Sequence, residues 1–341
     1  GDFALSGVSA LAFYASYGYV VWQTILRRFT IGDLTLYHRA FQNALSNLTH
    51  LLSRLSDVYE HNLYLEDLFE FLATQPKIVN REKTIKMPIS IQKGIEFRNV
   101  SFKYPDAKKY ALEDINLFIN PNESIALVGR NGAGKTTLVK LLTRLYEPTK
   151  GEILIDGIDY REIDISELRR AMGVIFQDFV AYQNKARENI GFGDIRRLQK
   201  LTEIIKAAKK SGADKVIESL PEKYDTLLGK QFEGGHELSW GEWQKIALAR
   251  GFFRDAQILI LDEPTASLDA EAEYNLYKKF AQLAKDRVVV LISHRFSTVR
   301  VAEKIYVLDK GKLIEQGTHQ QLIKQKGEYA RLFTMQAEGY K

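Results

Sequence analysis

The amino-acid sequence predicts an α/β fold with an inserted helical subdomain, preceded by an α-helical transmembrane segment. Three observations support this prediction. Beyond residue 95, short apolar runs alternate with longer segments of helical periodicity, as is typical of α/β sheets. One of these runs is joined to a helical segment by a glycine-rich loop. An uncharged stretch near the start of the chain is long enough to cross a bilayer.

The chain has 341 residues, a length that favours two domains. Residues 1–72 are predicted to form a partial transmembrane domain, residues 73–94 a polar linker, and residues 95–341 the α/β domain. The pattern between residues 177 and 254 is mostly helical, which predicts the inserted subdomain. From Thr318 onwards one or two closing helices are expected. The predicted strands are 95–104, 115–119, 124–128, 153–155, 172–176, 258–262, 288–292 and 304–309.

Two helices are predicted in the first domain, over residues 3–26 and 31–72. The first has no charged side chain, which favours a membrane span over a buried soluble helix or a signal peptide. The second interleaves leucines with polar residues such as Asn43 and His50. It is either an amphipathic cytoplasmic helix, as the arginines after the first span favour, or a membrane helix inside a bundle.

Composition excludes several kinds of site. The chain has no cysteine, so disulfides, thiolate metal sites and a cysteine nucleophile are impossible, and a reducing cytoplasm is expected. The 48 basic residues outnumber the 43 acidic ones only slightly, for a net charge of +5. This balance suits an anionic nucleotide or a lipid surface and does not indicate binding to nucleic acid. Because the chain starts at Gly1, we expect upstream sequence to be missing.

The stretch Gly129-Arg-Asn-Gly-Ala-Gly-Lys-Thr-Thr137 follows the apolar run 124–128 and opens a helical segment, which is the context of a P-loop. Its glycines allow successive backbone N–H groups to turn around a phosphate. Lys135 supplies a charge to the terminal phosphates and Thr136 a hydroxyl to Mg²⁺, so a Mg-nucleotide is expected. The predicted nucleotide-binding residues of this loop are Gly129, Arg130, Asn131, Gly132, Ala133, Gly134, Lys135, Thr136 and Thr137.

The apolar strand 258–262 ends in the carboxylate Asp262, and a second carboxylate, Glu263, follows directly. Ligands of open α/β sheets bind where strands end, so both carboxylates are placed to act on a bound nucleotide. Asp262 is predicted to hold Mg²⁺ through its water shell, and Glu263 to orient or deprotonate an attacking water.

Together these motifs resemble the ATP-binding cassette (ABC) family. The segment 238–244, Leu-Ser-Trp-Gly-Glu-Trp-Gln, is similar to the family's signature and lies between the P-loop and the Asp-Glu strand. Gln177 resembles the Q-loop glutamine, Asp269 belongs to a D-loop-like Ser-Leu-Asp, and His294 resembles the switch histidine. Tyr104 resembles the aromatic residue that stacks on adenine.

The resemblance extends over residues 95–341 and implies roles for these residues. Gln177 would act as a further Mg²⁺ ligand, and both Gln177 and His294 would join Glu263 as catalytic residues. ATP would be enclosed between two nucleotide domains, with the signature of one chain touching the γ-phosphate bound by its partner. The signature residues expected to act in this way are Ser239, Trp240, Gly241 and Glu242.

Two signature positions depart from the family pattern. Trp240 stands where the family usually has glycine, and Glu242 where it usually has glutamine. An indole beside the γ-phosphate contact is expected to hinder closure of the dimer, because glycine permits close approach there. We therefore expect ATP to bind while turnover is slow.

Residues 1–94 resemble, less specifically, the last two membrane helices of an exporter half-transporter. The leading hypothesis is the C-terminal part of an ABC exporter, a multi-pass protein of the cell membrane in contact with lipid, with its nucleotide domain in the cytoplasm. It would work with a second half-transporter, identical or different, and export an unidentified peptide, lipid or drug-like substrate. The alternatives are a soluble ABC ATPase acting on nucleic acid or ribosomes, and an ATP-binding module with little hydrolysis because of Trp240.

Overall fold

The computed structural model divides the chain into two compact units, residues 1–77 and 78–341. The first unit contains helix α1 (Asp2–Ile25) and helix α2 (Ile31–Ala73). Thr30 caps α2, because its hydroxyl accepts a hydrogen bond from the Asp33 N–H and the Asp33 carboxylate accepts one from the Thr30 N–H. The residues described are 2–176, 178–262, 286–293 and 299–338.

Neither helix of the first unit supports the predicted membrane span over residues 3–26. Within the described parts of the chain, no helix is both long enough and apolar enough to cross a membrane. The apolar residues of α1 are interrupted by polar ones, among them Ser16, Gln23 and Thr24, which lower its mean hydropathy.

The described residues of the second unit form two β-sheets. One has four antiparallel strands in the order β2-β1-β4-β5, and the other has six in the order β10-β9-β3-β8-β7-β6. The strands are β1 (Ile95–Phe102), β2 (Leu112–Ile119), β3 (Ser124–Val128), β4 (Lys150–Ile155), β5 (Ile158–Asp159), β6 (Met172–Ile175), β7 (Ile258–Asp262), β8 (Val288–Ile292), β9 (Lys304–Asp309) and β10 (Lys312–Gly317). Every predicted strand is present, and β5 and β10 were not predicted.

Strands β9, β3, β8, β7 and β6 run parallel, and β10 pairs antiparallel with β9. All residues of β3, β7 and β8 are buried, as expected for parallel strands covered on both faces. Successive residues contribute to opposite hydrophobic clusters: Ala126 and Val128 belong to one, Ile125 and Leu127 to the other. The uniformly apolar runs in the sequence therefore reflect a sheet between two packed layers.

Over its described residues, the second unit has the α-helices α3 (Lys135–Leu142), α4 (Ile165–Arg170), α5 (Ala186–Gly191), α6 (Leu201–Ser211), α7 (Ala213–Glu218), α8 (Trp240–Phe253), α9 (His319–Gln325) and α10 (Glu328–Glu338). Helices α5 to α8 lie within residues 177–254, where the helical subdomain is predicted, and α9 and α10 follow Thr318, where closing helices are predicted. Buried residues of α5 to α8 and of β3, β7 and β8 share one hydrophobic cluster. The subdomain is thus part of the same core as the central sheet.

Part of the predicted linker packs on the second unit. Ile85 forms a parallel bridge with Ile163, and the Pro88 carbonyl accepts a hydrogen bond of 2.8 Å from Gln257 Nε2. The buried guanidinium of Arg144 donates to the carbonyl oxygens of Val79 and Ile163, at 3.3 and 3.2 Å. Residues 79–88 are therefore held against the core of the second unit by these contacts.

Candidate nucleotide site

The loop between β3 and α3 requires glycine at two positions. Gly129 has φ 151° and Gly134 has φ 108°, values that side-chain-bearing residues rarely adopt. A Cβ atom at Gly129 would overlap the carbonyl oxygen of Leu308 in β9, and one at Gly134 would lie 2.6 Å from the Leu112 side chain. The backbone passes so close to its neighbours that only glycine fits both turns.

Lys135 is the first residue of α3, and its side chain reaches back into this loop. Its ammonium group is buried and donates hydrogen bonds to the carbonyl oxygens of Gly129, at 2.8 Å, and Arg130, at 3.0 Å. Gly134 precedes α3 and has no side chain to cap the first N–H groups of the helix. The loop therefore holds a positive charge beside a helix start that has no side-chain cap, an arrangement that suits a phosphate chain.

A carboxylate and a hydroxyl meet next to this helix start. Thr136 Oγ1 donates a hydrogen bond of 3.2 Å to Oδ2 of the buried Asp262. The two residues come together because β7 and β3 both pair with β8 in parallel, so their carboxyl ends share one edge of the sheet. Hydroxyl and carboxylate oxygens are hard ligands that suit Mg²⁺, which usually takes one or two protein oxygens together with phosphate and water.

Tyr104 lies close to the first turn of α3. Its hydroxyl is 3.2 Å from Thr137 Oγ1, and its half-buried ring makes edge-to-face contacts with Phe102 and Tyr146. Lys140 Nζ lies 5.9 Å from the centre of the ring. An aromatic surface therefore stands beside the helix that follows the loop.

The start of α8 is built differently from the start of α3. Ser239 caps the helix: its hydroxyl accepts from the Glu242 N–H at 3.4 Å, and Glu242 Oε2 accepts from both the N–H and the hydroxyl of Ser239 at 2.8 Å. The Trp240 indole stacks on the Phe179 ring, with centroids 4.5 Å apart and planes 23° apart. Within the described residues, the side chains of Ser239, Trp240 and Glu242 form no hydrogen bond, ion pair or ring contact with the loop 129–134 of the same chain.

Comparisons with known proteins identify the family. The sequence model described as "ABC transporter" matches residues 112–266. The chain is 40% identical over 334 residues to the ATP-dependent lipid A-core flippase of Syntrophus aciditrophicus, covering 97% of this chain and 53% of the relative. It is 38% identical over 295 residues to the subtilin transport ATP-binding protein SpaT of Bacillus subtilis, covering 86% and 48%. The chain belongs to the ABC transporter family.

A solved structure supports the same assignment. The structure titled "Structure of a bacterial Atm1-family ABC exporter with ATP bound" is similar with a TM-score of 0.75 and 30% identity, over 98% of this chain and 57% of that one. The chain spans about half the length of the curated relatives it matches. Its second unit has the nucleotide-binding P-loop fold of ABC transporters.

Several residues predicted for the ABC transporter site have no described position. Gln177, Glu263, Asp269 and His294 lie outside the described residues. Of the remaining predictions, the structure brings Lys135, Thr136 and Asp262 together around the loop, and it places Tyr104 and Thr137 beside them. Ser239, Trp240, Gly241 and Glu242 begin α8.

Two contacts of this region were not predicted from the sequence. Arg130 in the loop lies 3.4 Å from Glu328 of α10, and Arg331 and then Arg130 hold the pKa of Glu328 below its usual value. Phe179, the partner of Trp240, follows Gln177 by two residues in the aromatic-rich stretch 176–182. That clustering of aromatic residues was the available signal, but it does not specify a partner.

Proposed function

We propose that this chain is the ATP-binding and ATP-hydrolysing part of an ABC exporter, with ATP and Mg²⁺ bound at the start of α3. The observation that carries the proposal is the contact between Thr136 and Asp262 behind the glycine loop. A P-loop alone marks a phosphate site, whereas this pair adds two protein oxygens of the kind that bind Mg²⁺ beside a phosphate chain.

The roles of the residues follow from their positions. Lys135 exchanges the carbonyl oxygens of Gly129 and Arg130 for phosphate oxygens when the nucleotide binds. Thr136 and Asp262, with Gln177, would hold Mg²⁺, which neutralises charge developing on the phosphates. Tyr104 offers its ring to the adenine base.

The chemical step is assigned to residues that follow the sheet edge. Glu263 comes directly after Asp262 in the sequence, and it would orient or deprotonate the attacking water. His294 follows β8 and donates a hydrogen bond to the γ-phosphate, and Asp269 completes the site as the D-loop residue.

Transport requires a second chain. The start of α8 would contact the γ-phosphate held by the loop of another half-transporter, identical or different, and ATP would close the two domains on each other. The first unit would belong to the membrane domain of a multi-pass protein in contact with lipid, with the nucleotide domain in the cytoplasm. Relatives named for lipid A-core and for subtilin leave lipid and peptide substrates open for this chain.

The experiment compares Glu263→Gln with the natural residue in the complete transporter. We expect the variant to bind Mg-ATP with unchanged affinity and to lose at least about a hundredfold in hydrolysis rate, because general-base catalysis contributes factors of about 10² to 10⁴. Binding is measured by calorimetry and turnover by phosphate release. Equal rates in both proteins, or no hydrolysis by the natural chain with any candidate substrate, would contradict the proposal and favour an ATP-binding module.

A further inference from the structure

The Trp240 side chain, next to the Ser239 cap of α8, contacts another aromatic ring. Its ring rests on Phe179 at a centroid distance of 4.5 Å, although 54% of the residue stays exposed. Phe179 is half-buried and packs in turn on the hydrophobic cluster that contains the central sheet. The first residue of α8 is therefore stacked on an anchored part of the surface, and such an aromatic pair is favourable beyond simple burial.

The same segment of chain is attached to α8 a second time, further along the helix. Arg250 Nη1 donates to the Val180 carbonyl at 3.1 Å, and its guanidinium lies 4.6 Å from the centre of the Tyr182 ring. Arg250 Nε and Nη2 donate to the backbone and side-chain oxygens of Asn189, at 2.8 and 3.1 Å. Burial lowers the pKa of the Arg250 guanidinium.

Asn189 extends this attachment to the rest of the segment. It is fully buried, and its side-chain amide donates to the carbonyl oxygens of Tyr182, at 2.9 Å, and Asn184, at 3.1 Å. Residues 178–185 are thus connected to α8 at Trp240 and at Arg250. Ser239 caps the same helix, so the segment and the helix start are joined through α8.

We infer that Trp240 is a positioning residue, which couples the start of α8 to the segment after Gln177 through its stack on Phe179. The inference rests on the proposed function, in which Gln177 senses the nucleotide of its own chain and Ser239 acts on that of the partner. It replaces the expectation that the indole obstructs closure with the opposite one. Loss of the stack should slow turnover.

The test compares four variants of the complete transporter: Trp240→Leu, Phe179→Leu, the double variant and Trp240→Phe. Leucine keeps apolar bulk without an aromatic face. An aromatic pair corresponds to a factor of about two to ten, so we expect each single leucine variant to lower kcat by that factor with an unchanged KM for ATP. The double variant should be no slower than the slower single one, and Trp240→Phe should restore at least half of the natural rate.

Two rate outcomes would overturn the inference. If both leucine variants keep the natural kcat, the stack has no positioning role. If removal of the indole raises kcat, Trp240 is an obstruction. Thermal unfolding of each variant controls for loss of fold.

A second measurement separates this inference from the proposed function, because it needs no turnover. The N–H groups of Glu242 and Trp243 donate to the Ser239 carbonyl at 3.0 Å, so their hydrogen exchange reports on the start of α8. Phe179→Leu should raise their exchange rates severalfold while those of α6 stay constant. Unchanged exchange at both sites would overturn the inference, whereas a natural chain without ATPase activity would contradict only the proposed function.

Discussion

The starts of helices α3 and α8 in the second unit are both proposed to contact nucleotide phosphate, but they are capped differently. Helix α3 begins after Gly134, which has a left-handed backbone and no capping side chain. Helix α8 begins after Ser239, which forms a reciprocal capping box with Glu242. The first start has no capping side chain of its own, and the second is capped by its own serine and carboxylate.

The difference suggests separate roles for the two helix starts in the proposed nucleotide site. At α3 the ammonium of Lys135 is held among backbone carbonyls and no side chain caps the helix, so a phosphate finds a positive charge beside the helix start. At α8 the Glu242 carboxylate already accepts the hydrogen bonds of Ser239 that a phosphate would take. The α3 start is arranged to bind first, and the α8 start to engage only when a stronger acceptor arrives.

Removal of the charge at the α3 start is expected to have the largest effect on nucleotide binding. We expect Lys135→Ala to weaken Mg-ATP binding at least about a hundredfold, because hydrogen bonds to charged groups contribute about 1.5–3 kcal/mol each and Lys135 can make two. Calorimetric titration measures the loss. Lys210→Ala, on the exposed surface of α6, is the matched control and should bind as the natural chain does. If both variants bound Mg-ATP with equal affinity, Lys135 would not contribute to nucleotide binding.

The glycine loop allows a second test, on stability. We expect Gly129→Ala to lower the free energy of unfolding by about 3 kcal/mol or more, because the new Cβ overlaps the Leu308 carbonyl oxygen and the backbone is strained. Gly132 also has positive φ, but a Cβ there meets nothing within 4 Å, so Gly132→Ala should cost only about 1–2 kcal/mol. Urea denaturation compares the two, and similar losses would show that packing against β9 is unimportant.

The sequence predicted the strands around the proposed nucleotide site and the glycine loop, because their structure depends on local residue patterns. Strands 124–128, 258–262 and 288–292 appear with the predicted bounds, because a strand buried on both faces is apolar at every position. The loop was predicted from glycine spacing and the strand before it. In contrast, β10 was missed, because only alternate residues of this edge strand are partly buried and its hairpin turn, Lys310-Gly311, follows β9 directly.

Tertiary placement decides what the sequence could not predict. The family pattern marks Trp240 as a departure, and bulk beside a phosphate contact suggested obstruction. The structure instead stacks the ring on Phe179, a residue 61 positions earlier, and no local pattern specifies such a contact. The membrane span over residues 3–26 was predicted from the lack of charge, whereas crossing a bilayer also depends on mean hydropathy.

The smallest expected effect concerns the carboxylate of the α8 cap. Glu242→Gln keeps an oxygen that can accept from the Ser239 N–H and so preserves the capping box, but it removes a negative charge next to the proposed γ-phosphate contact. Two charges about 4 Å apart in water interact by about 1 kcal/mol, so we expect kcat to rise by up to about fivefold with unchanged stability. Steady-state ATPase kinetics and thermal unfolding measure the two quantities. Glu242→Ala is the matched control: it removes the same charge but also the acceptor of the Ser239 N–H, which is half of the capping box, so α8 should begin less stably and the rate should gain less. If both variants hydrolyse ATP at the natural rate, the carboxylate does not compete with phosphate, and the two helix starts differ in structure without differing in how they receive the nucleotide.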